Sequence, residues 1–311
     1  MVIKYGKQID INSISEKEIS LFLFAGNHEK RVFTAYDKII KNNIISKSIL
    51  FSYKDSYKTK YDHSIEKIKL QTHQEISSVL DKELGLVKKK DLFIIVDYSC
   101  MTKSWYYTII LYLRKKELNF NSITVYFIYT PSKFTKPLEP KPNTEIAPLP
   151  GKYIVPTDKP KALIVCLGYE QRKAEGIIEH LDPKEYYVIY SKPALDNKFV
   201  DKIEANNSTL LDRTDKKKII TFQLDDMLSL ERELTSLYYL LREEYSIIIA
   251  PLGPKPFTFI SMLMTIKFRD IDIWRVGSGS DINEYTREPI DKNTFIISEI
   301  VFENSITALN N

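Results

Sequence analysis

The stretch Ser246–Pro256, SIIIAPLGPKP, constrains the fold more than any other. Ile247, Ile248, Ile249 and Ala250 form an apolar run too short and too β-branched for a helix, and Pro251, Gly253, Pro254 and Pro256 close it. An uninterrupted apolar run bounded by breakers reads as a strand buried on both faces, as in a parallel sheet. Phe257–Phe268 is helix-length, so Lys255 stands where a strand ends and a helix begins. In open α/β sheets that edge is where ligands bind, and a helix N-terminus offers unsatisfied N–H groups and partial positive charge to an anion. The plainer reading of the same stretch is a tight strand–helix turn with a solvated lysine.

The rest of the chain repeats this alternation. Ser20–Ala25, Lys47–Tyr53, Asp91–Asp97 and Ser122–Tyr129 have the composition of strands. Between them, Glu29–Lys41, His63–Leu84 and Thr102–Lys116 carry apolar residues at helical spacing, the second stopped by Gly85. Pro131–Pro160 breaks the pattern with eight of the fourteen prolines, and reads as an extended linker. Beyond it come strands at Lys161–Leu167, Tyr186–Tyr190, Lys218–Phe222, Ser246–Pro251 and Asp272–Gly277, separated by helical stretches, the longest at Asp226–Glu244. Thr294–Val301 is a late strand suited to an edge, and residues 304–311 read as a frayed end. The expected fold is α/β: two tandem Rossmann-like units with mainly parallel sheets, an N-terminal domain over 1–130, a Pro-rich linker over 131–160 and a C-terminal domain over 161–311.

At 311 residues and a formal charge of +4, the chain has room for two ordinary domains and is only mildly basic, which permits an anionic ligand without announcing nucleic acid. No run reaches the apolar length of a membrane span, and the start lacks a signal-peptide core, so a cytoplasmic protein without membrane contact is expected. Cys100 and Cys166 have no metal-motif spacing, and the four histidines are scattered, so neither a metal nor a cofactor is expected.

The halves share more than element order. The first strand of one runs into Gly26-Asn27-His28-Glu29-Lys30-Arg31, that of the other into Gly168-Tyr169-Glu170-Gln171-Arg172. Later, Val96-Asp97-Tyr98-Ser99-Cys100-Met101-Thr102-Lys103 takes the place of Ala250-Pro251-Leu252-Gly253-Pro254-Lys255, each a buried strand, a short loop, a lysine and a helix. This reads as a diverged internal repeat that sets both loops at the carboxyl ends of strands. The expected ligand-binding residues are Gly26, Arg31, Ser99, Thr102, Lys103, Gly168, Tyr169, Arg172, Gly253 and Lys255. The glycines allow close backbone approach, and the cations take phosphate. Tyr98, Tyr169 and Trp105 are candidates to stack on a base. For Glu29, Glu170 and Asp97, helix capping competes with a role in catalysis or ligand contact.

With these loops the halves resemble the CARF and SAVED domains of bacterial antiviral signalling, Rossmann-like sensors of cyclic oligonucleotides. Gly253-Pro254-Lys255 is similar to that family's Gly-Thr-Lys-like turn with proline for threonine, and Met101-Thr102-Lys103 is similar without the glycine. The resemblance covers about residues 20–130 and 161–300. It implies a protein of antiphage defence that senses or degrades a cyclic oligonucleotide and acts through a partner effector protein, since no nuclease, HEPN or membrane effector is visible in the chain. Two other readings stand beside it. One is a nucleotide-processing N-glycosidase or phosphodiesterase using Glu29 or Glu170. The other is a nucleic-acid-binding scaffold subunit using the runs Lys88-Lys89-Lys90 and Lys216-Lys217-Lys218. No P-loop, nucleophile elbow or GxGxxG is present, which disfavours kinase, α/β-hydrolase and NAD chemistry.

Overall fold

Continuous apolar runs become central strands because parallel strands, covered by helices on both faces, have no side left for polar residues. A computed structural model describes residues 1–53, 61, 63–137, 139, 141–277 and 286–304; of the expected frayed end over 304–311, all but Asn304 lies outside them. In chain order the first elements are β1 (Val2–Ile9), β2 (Glu18–Ile19), β3 (Leu21–Gly26), α1 (Thr34–Ile39), β4 (Ile44–Ile45), β5 (Ser48–Ser52), β6 (Glu66–Lys69), α2 (Glu75–Gly85), β7 (Asp91–Asp97), α3 (Lys103–Lys115) and β8 (Ser122–Tyr129). They are followed by β9 (Glu145–Pro148), β10 (Lys161–Cys166), α4 (Lys173–Leu181), β11 (Glu185–Ser191), α5 (Asn197–Asn206), α6 (Ser208–Arg213), β12 (Ile219–Phe222), α7 (Met227–Leu241), β13 (Ser246–Pro251), α8 (Lys255–Lys267), β14 (Asp272–Gly277) and β15 (Ile296–Glu303).

Two Rossmann-like units result, one of Met1–Lys133 with Tyr285–Asn311, the other of Phe134–Glu284. The first carries a sheet in the order β1-β15-β8-β7-β3-β5-β6, the second a sheet in the order β12-β11-β10-β13-β14-β9. Counted from β3 in one and β10 in the other, the parallel strands follow the same order in both: third, second, first, fourth, fifth. An antiparallel strand sits beside the fifth each time, β15 against β8 and β9 against β14. One topology is therefore built twice, and in each copy the strand order reverses between the first and fourth strands.

The division differs from the expected boundaries at 130 and 160. β15, expected to belong to the second half, lies inside the first unit's sheet between β1 and β8. All eight of its residues are buried. Glu299 and Glu303 accept that position because β1 supplies Lys7 at 3.1 Å and Lys4 at 2.5 Å. The second unit is thus inserted between β8 and β15. Its outgoing and returning chains are hydrogen-bonded to each other on the first unit, Lys133 N to Glu288 O at 3.0 Å and Ile290 N to Pro131 O at 2.9 Å.

Part of the Pro-rich stretch joins the second unit's sheet as β9, with Thr144 N donating to Gly277 O at 2.8 Å and Leu149 N to Ile273 O at 2.7 Å. Beyond β9, three lysines staple the chain to helix ends. Lys152 Nζ donates to Thr265 O in the last turn of α8 at 2.8 Å and to Ile271 O beyond it at 2.9 Å, Lys159 Nζ to Arg242 O at 2.8 Å after α7, and Lys161 Nζ to Leu181 O at 2.9 Å on α4. Orphan carbonyls and the negative end of the helix dipole make each a favourable seat for an ammonium group.

The expected long helix His63–Leu84 is two elements. Glu66–Lys69 is an edge strand on β5, where one open side tolerates its charges, and the helix begins later. Its start is marked by Glu75, the first helical residue, whose carboxylate reaches back to accept from Thr72 N at 3.0 Å and Gln71 N at 3.2 Å. α1 is shorter than Glu29–Lys41 because residues 27–33 serve the loop described next.

Candidate functional site

In the first unit the loops after the first and fourth strands meet at Arg31. Asn27 Oδ1 accepts from Glu29 N at 2.9 Å, turning the chain just beyond β3 and directing Glu29 at the guanidinium. Arg31 is fully buried and donates from Nε to Glu29 Oε2 at 2.5 Å, from Nη1 to Thr130 O at 2.7 Å and from Nη2 to Ser99 O at 3.0 Å. Tyr129 lies below it, with its ring centre 5.5 Å from Cζ. Burial alone would lower the pKa of Arg31, but Tyr129, Cys100 and Glu29 outweigh it and the net shift is upward. Ser99 completes the tie: its amide donates to Asp97 Oδ1 at 2.9 Å and its hydroxyl accepts from Thr130 N at 2.8 Å. Arg31 therefore knots the loops that follow β3, β7 and β8, which corrects its expected role as an open phosphate fork. Asp97 and Ser99 are likewise buried within this knot rather than facing solvent.

The loop into α3 is seated by Tyr53. Its phenol donates to Cys100 O at 3.1 Å and accepts from Thr102 N at 3.0 Å, and its ring stacks on Trp105 at 4.1 Å. Burial raises the phenol's pKa well above the ordinary tyrosine value. Thr102 is the extended N-cap of α3 without a side-chain capping bond, and Lys103 is the first helical residue. Tyr98 and Trp105, expected to stack on a base, are buried core rings instead.

The second unit arranges the matching loops differently. Leu252 N donates to Cys166 O at 3.1 Å, so the two loops touch. A Cβ on Gly168 would come within 2.5 Å of Leu252 O, and one on Gly253 would strike the Cys166 sulfur and approach Leu167 O to 2.7 Å. These glycines serve loop-to-loop packing as the close approach that matters here. In the first unit Gly26 is the last residue of β3, paired with Ser52. Asn207 Nδ2 donates to Gly168 O at 3.1 Å and Asn206 Nδ2 to Tyr169 O at 2.5 Å, clamping the first loop from the end of α5. Glu170 pairs with Lys173 rather than with Arg172. Arg172 is exposed and adopts φ 66°, the left-handed region, as the N-cap of α4.

No protein-family model matches this chain, and no curated protein does. The site therefore rests on its own geometry.

That geometry is most open to an anion at the start of α8. Pro254 is an extended N-cap with no side-chain capping bond, and Lys255 is the first helical residue, the place Lys103 holds in α3. One turn further, Thr258 is fully buried and its hydroxyl has no hydrogen-bond partner among the described residues. No group of three or more His, Cys, Asp or Glu residues among those described is placed to hold a metal ion. None of the described helices is long and apolar enough to cross a membrane. Sequence reasoning missed Tyr53, Thr130, Asn206 and Asn207, which act through hydrogen bonds that span tens of residues. Only the Asn-Asn doublet at a helix end is a local signal.

Proposed function

We propose that this protein is a cytoplasmic nucleotide sensor whose ligand, a cyclic or linear oligonucleotide, is held by its phosphates at a sheet rim, and that it signals through a partner effector protein in antiphage defence. The observation that carries the reading is the recurrence, in two units of one topology, of a lysine at the first position of an uncapped helix after the fourth strand: Lys103 on α3 and Lys255 on α8. Each stands at the strand-order reversal, where helix dipole, N–H groups and lysine charge favour phosphate together. Arg172 adds an exposed guanidinium to the rim of the second unit.

The alternatives are weaker on this geometry. A glycosidase or phosphodiesterase needs an unpaired carboxylate, yet Glu29 is bound by Arg31 and Glu170 by Lys173. A nucleic-acid scaffold needs uncommitted lysines, yet Lys89 pairs with Glu18 and Lys218 with Glu185, while Lys90 Nζ donates to Asn119 O at 3.1 Å. The test is a thermal-shift screen of cyclic oligonucleotides, linear dinucleotides and nucleoside polyphosphates. A true ligand at 100 times its Kd stabilises by about 2.7 kcal/mol, a shift of several degrees. The shift is expected to shrink in Lys255→Ala and in Lys103→Ala, each of which removes one unit's phosphate seat. No shift with any compound overturns the reading.

A further inference from the structure

We infer that Tyr169, Phe134 and Phe199 form the base-contacting wall of the site in the second unit, so that it selects phosphates carrying a nucleobase over phosphate alone. The inference rests on the nucleotide-binding reading above and names what that reading leaves open, the part of the ligand that gives selectivity.

The three rings form one cluster. Phe134 and Phe199 meet edge-on at 5.2 Å, Tyr169 and Phe199 lie 5.6 Å apart, and Phe134 and Tyr169 lie 6.4 Å apart. Core rings of this chain, such as Tyr98, Phe127 and Phe257, are almost wholly buried, whereas these three are half-buried. Each is fixed by polar contacts outside the cluster. Asn206 holds the Tyr169 carbonyl at 2.5 Å, and Phe134 N donates to Asp196 Oδ2 at 3.2 Å. The same Asp196 caps α5, the helix that carries Phe199, by accepting from Lys198 N at 3.1 Å. Tyr169 packs against the second unit's hydrophobic core, and the three partly exposed rings are held in place by one another and by these polar contacts, which lowers the entropy cost of stacking a flat ligand.

Position joins this wall to the anion site. Tyr169 follows Gly168, which packs against Leu252 in the loop leading to Lys255, and Arg172 stands three residues beyond Tyr169. Tyr169 of the wall and the cations Arg172 and Lys255 therefore belong to one pair of touching loops and the helix starts they lead into, with Phe134 and Phe199 joined to them through Tyr169, the arrangement a ligand with a flat apolar end and an anionic end requires. The first unit lacks the counterpart. There the residue after the glycine is Asn27, whose side chain is spent on the Glu29 amide.

The experiment is calorimetric titration of the full chain with two probes of equal phosphate number, inorganic tripolyphosphate and adenosine 5′-triphosphate, in wild type, Phe199→Leu, Tyr169→Leu and Lys255→Ala. Fluorescence of Trp274 in the second unit checks that each variant is folded. Wild type is expected to bind the adenosine compound about tenfold more tightly than tripolyphosphate, in line with base–aromatic stacking. Phe199→Leu or, should that variant not fold, Tyr169→Leu is expected to bring the ratio near one without changing tripolyphosphate affinity. Lys255→Ala is expected to weaken both probes alike. Equal wild-type affinity for the two probes, or leucine variants that weaken both equally, overturns the inference and leaves the anion site standing. Failure of both probes and of every oligonucleotide in the thermal screen sinks the parent reading with it.

Discussion

Replacing Arg31 with methionine separates a structural knot from a ligand contact. The guanidinium is fully buried and bound to one carboxylate and two backbone carbonyls, and methionine keeps much of its volume while removing every donor. Breaking a buried ion pair from one side costs about 3–5 kcal/mol, chiefly because the remaining charge is left unpaired. Here that charge is Glu29, whose side chain is 9% exposed. With a urea dependence of about 2 kcal/mol per molar, the unfolding midpoint of the first unit should fall by about 1.5–2.5 M. The two tryptophans allow this to be read unit by unit, since Trp105 lies in the first and Trp274 in the second. In a Trp274→Phe background, fluorescence of Trp105 follows the first unit alone. The double variant Glu29→Gln with Arg31→Met removes both charges and should recover 1 kcal/mol or more, roughly as buried pairs do when replaced together. An unchanged midpoint in Arg31→Met, with loss confined to nucleotide affinity, would refute the knot and return Arg31 to the ligand.

Four further outcomes are expected. Lys152→Met removes the ammonium seated on the carbonyls at the end of α8 and should lower the stability of the second unit by about 1–3 kcal/mol, read from Trp274 in urea. Gly253→Ala should cost more than about 2 kcal/mol, because the new methyl meets backbone and sulfur. Gly85→Ala, where nothing lies within 4 Å, should instead be neutral or stabilise by about 0.5–1 kcal/mol. Asp226 caps α7 by accepting from Ser229 N at 3.0 Å and Ser229 Oγ at 2.7 Å, and these bonds hold its pKa below the ordinary aspartate value. Its contribution is therefore present above about pH 4 and lost as pH falls through the folded value, so Asp226→Ala should cost about 1 kcal/mol at pH 7 and little near pH 2.

What could be read from the residues was whatever depends on neighbours in the chain. Ser246–Pro251 and Asp91–Asp97 announced themselves as buried strands because their interiors are apolar, and Lys255 occupies the helix start its breakers implied, as Lys103 stands one residue inside the expected Thr102–Lys116. Hidden instead were contacts whose partners lie far apart. β1 alternates Lys4, Tyr5 and Lys7 like a solvated segment, and only β15, nearly three hundred residues on, supplies the glutamates that make it a strand. Arg31 looks the same in sequence whether it faces phosphate or the Ser99 and Thr130 carbonyls, since those carbonyls belong to no side chain. The Pro-rich stretch misled for a related reason. Its prolines disfavour regular structure, but the lysines between them find helix ends that composition does not reveal.

Placing β15 after the inserted unit also orders events at the ribosome. The second unit emerges whole before the strand that fills the first unit's sheet has been translated, so it can mature while its host is unfinished. During that interval β8 has a bare edge of N–H and C=O groups, a ready template for a neighbouring nascent chain. Slowing elongation just upstream of Ile296 should therefore lengthen the aggregation-prone window of the first unit while sparing the second.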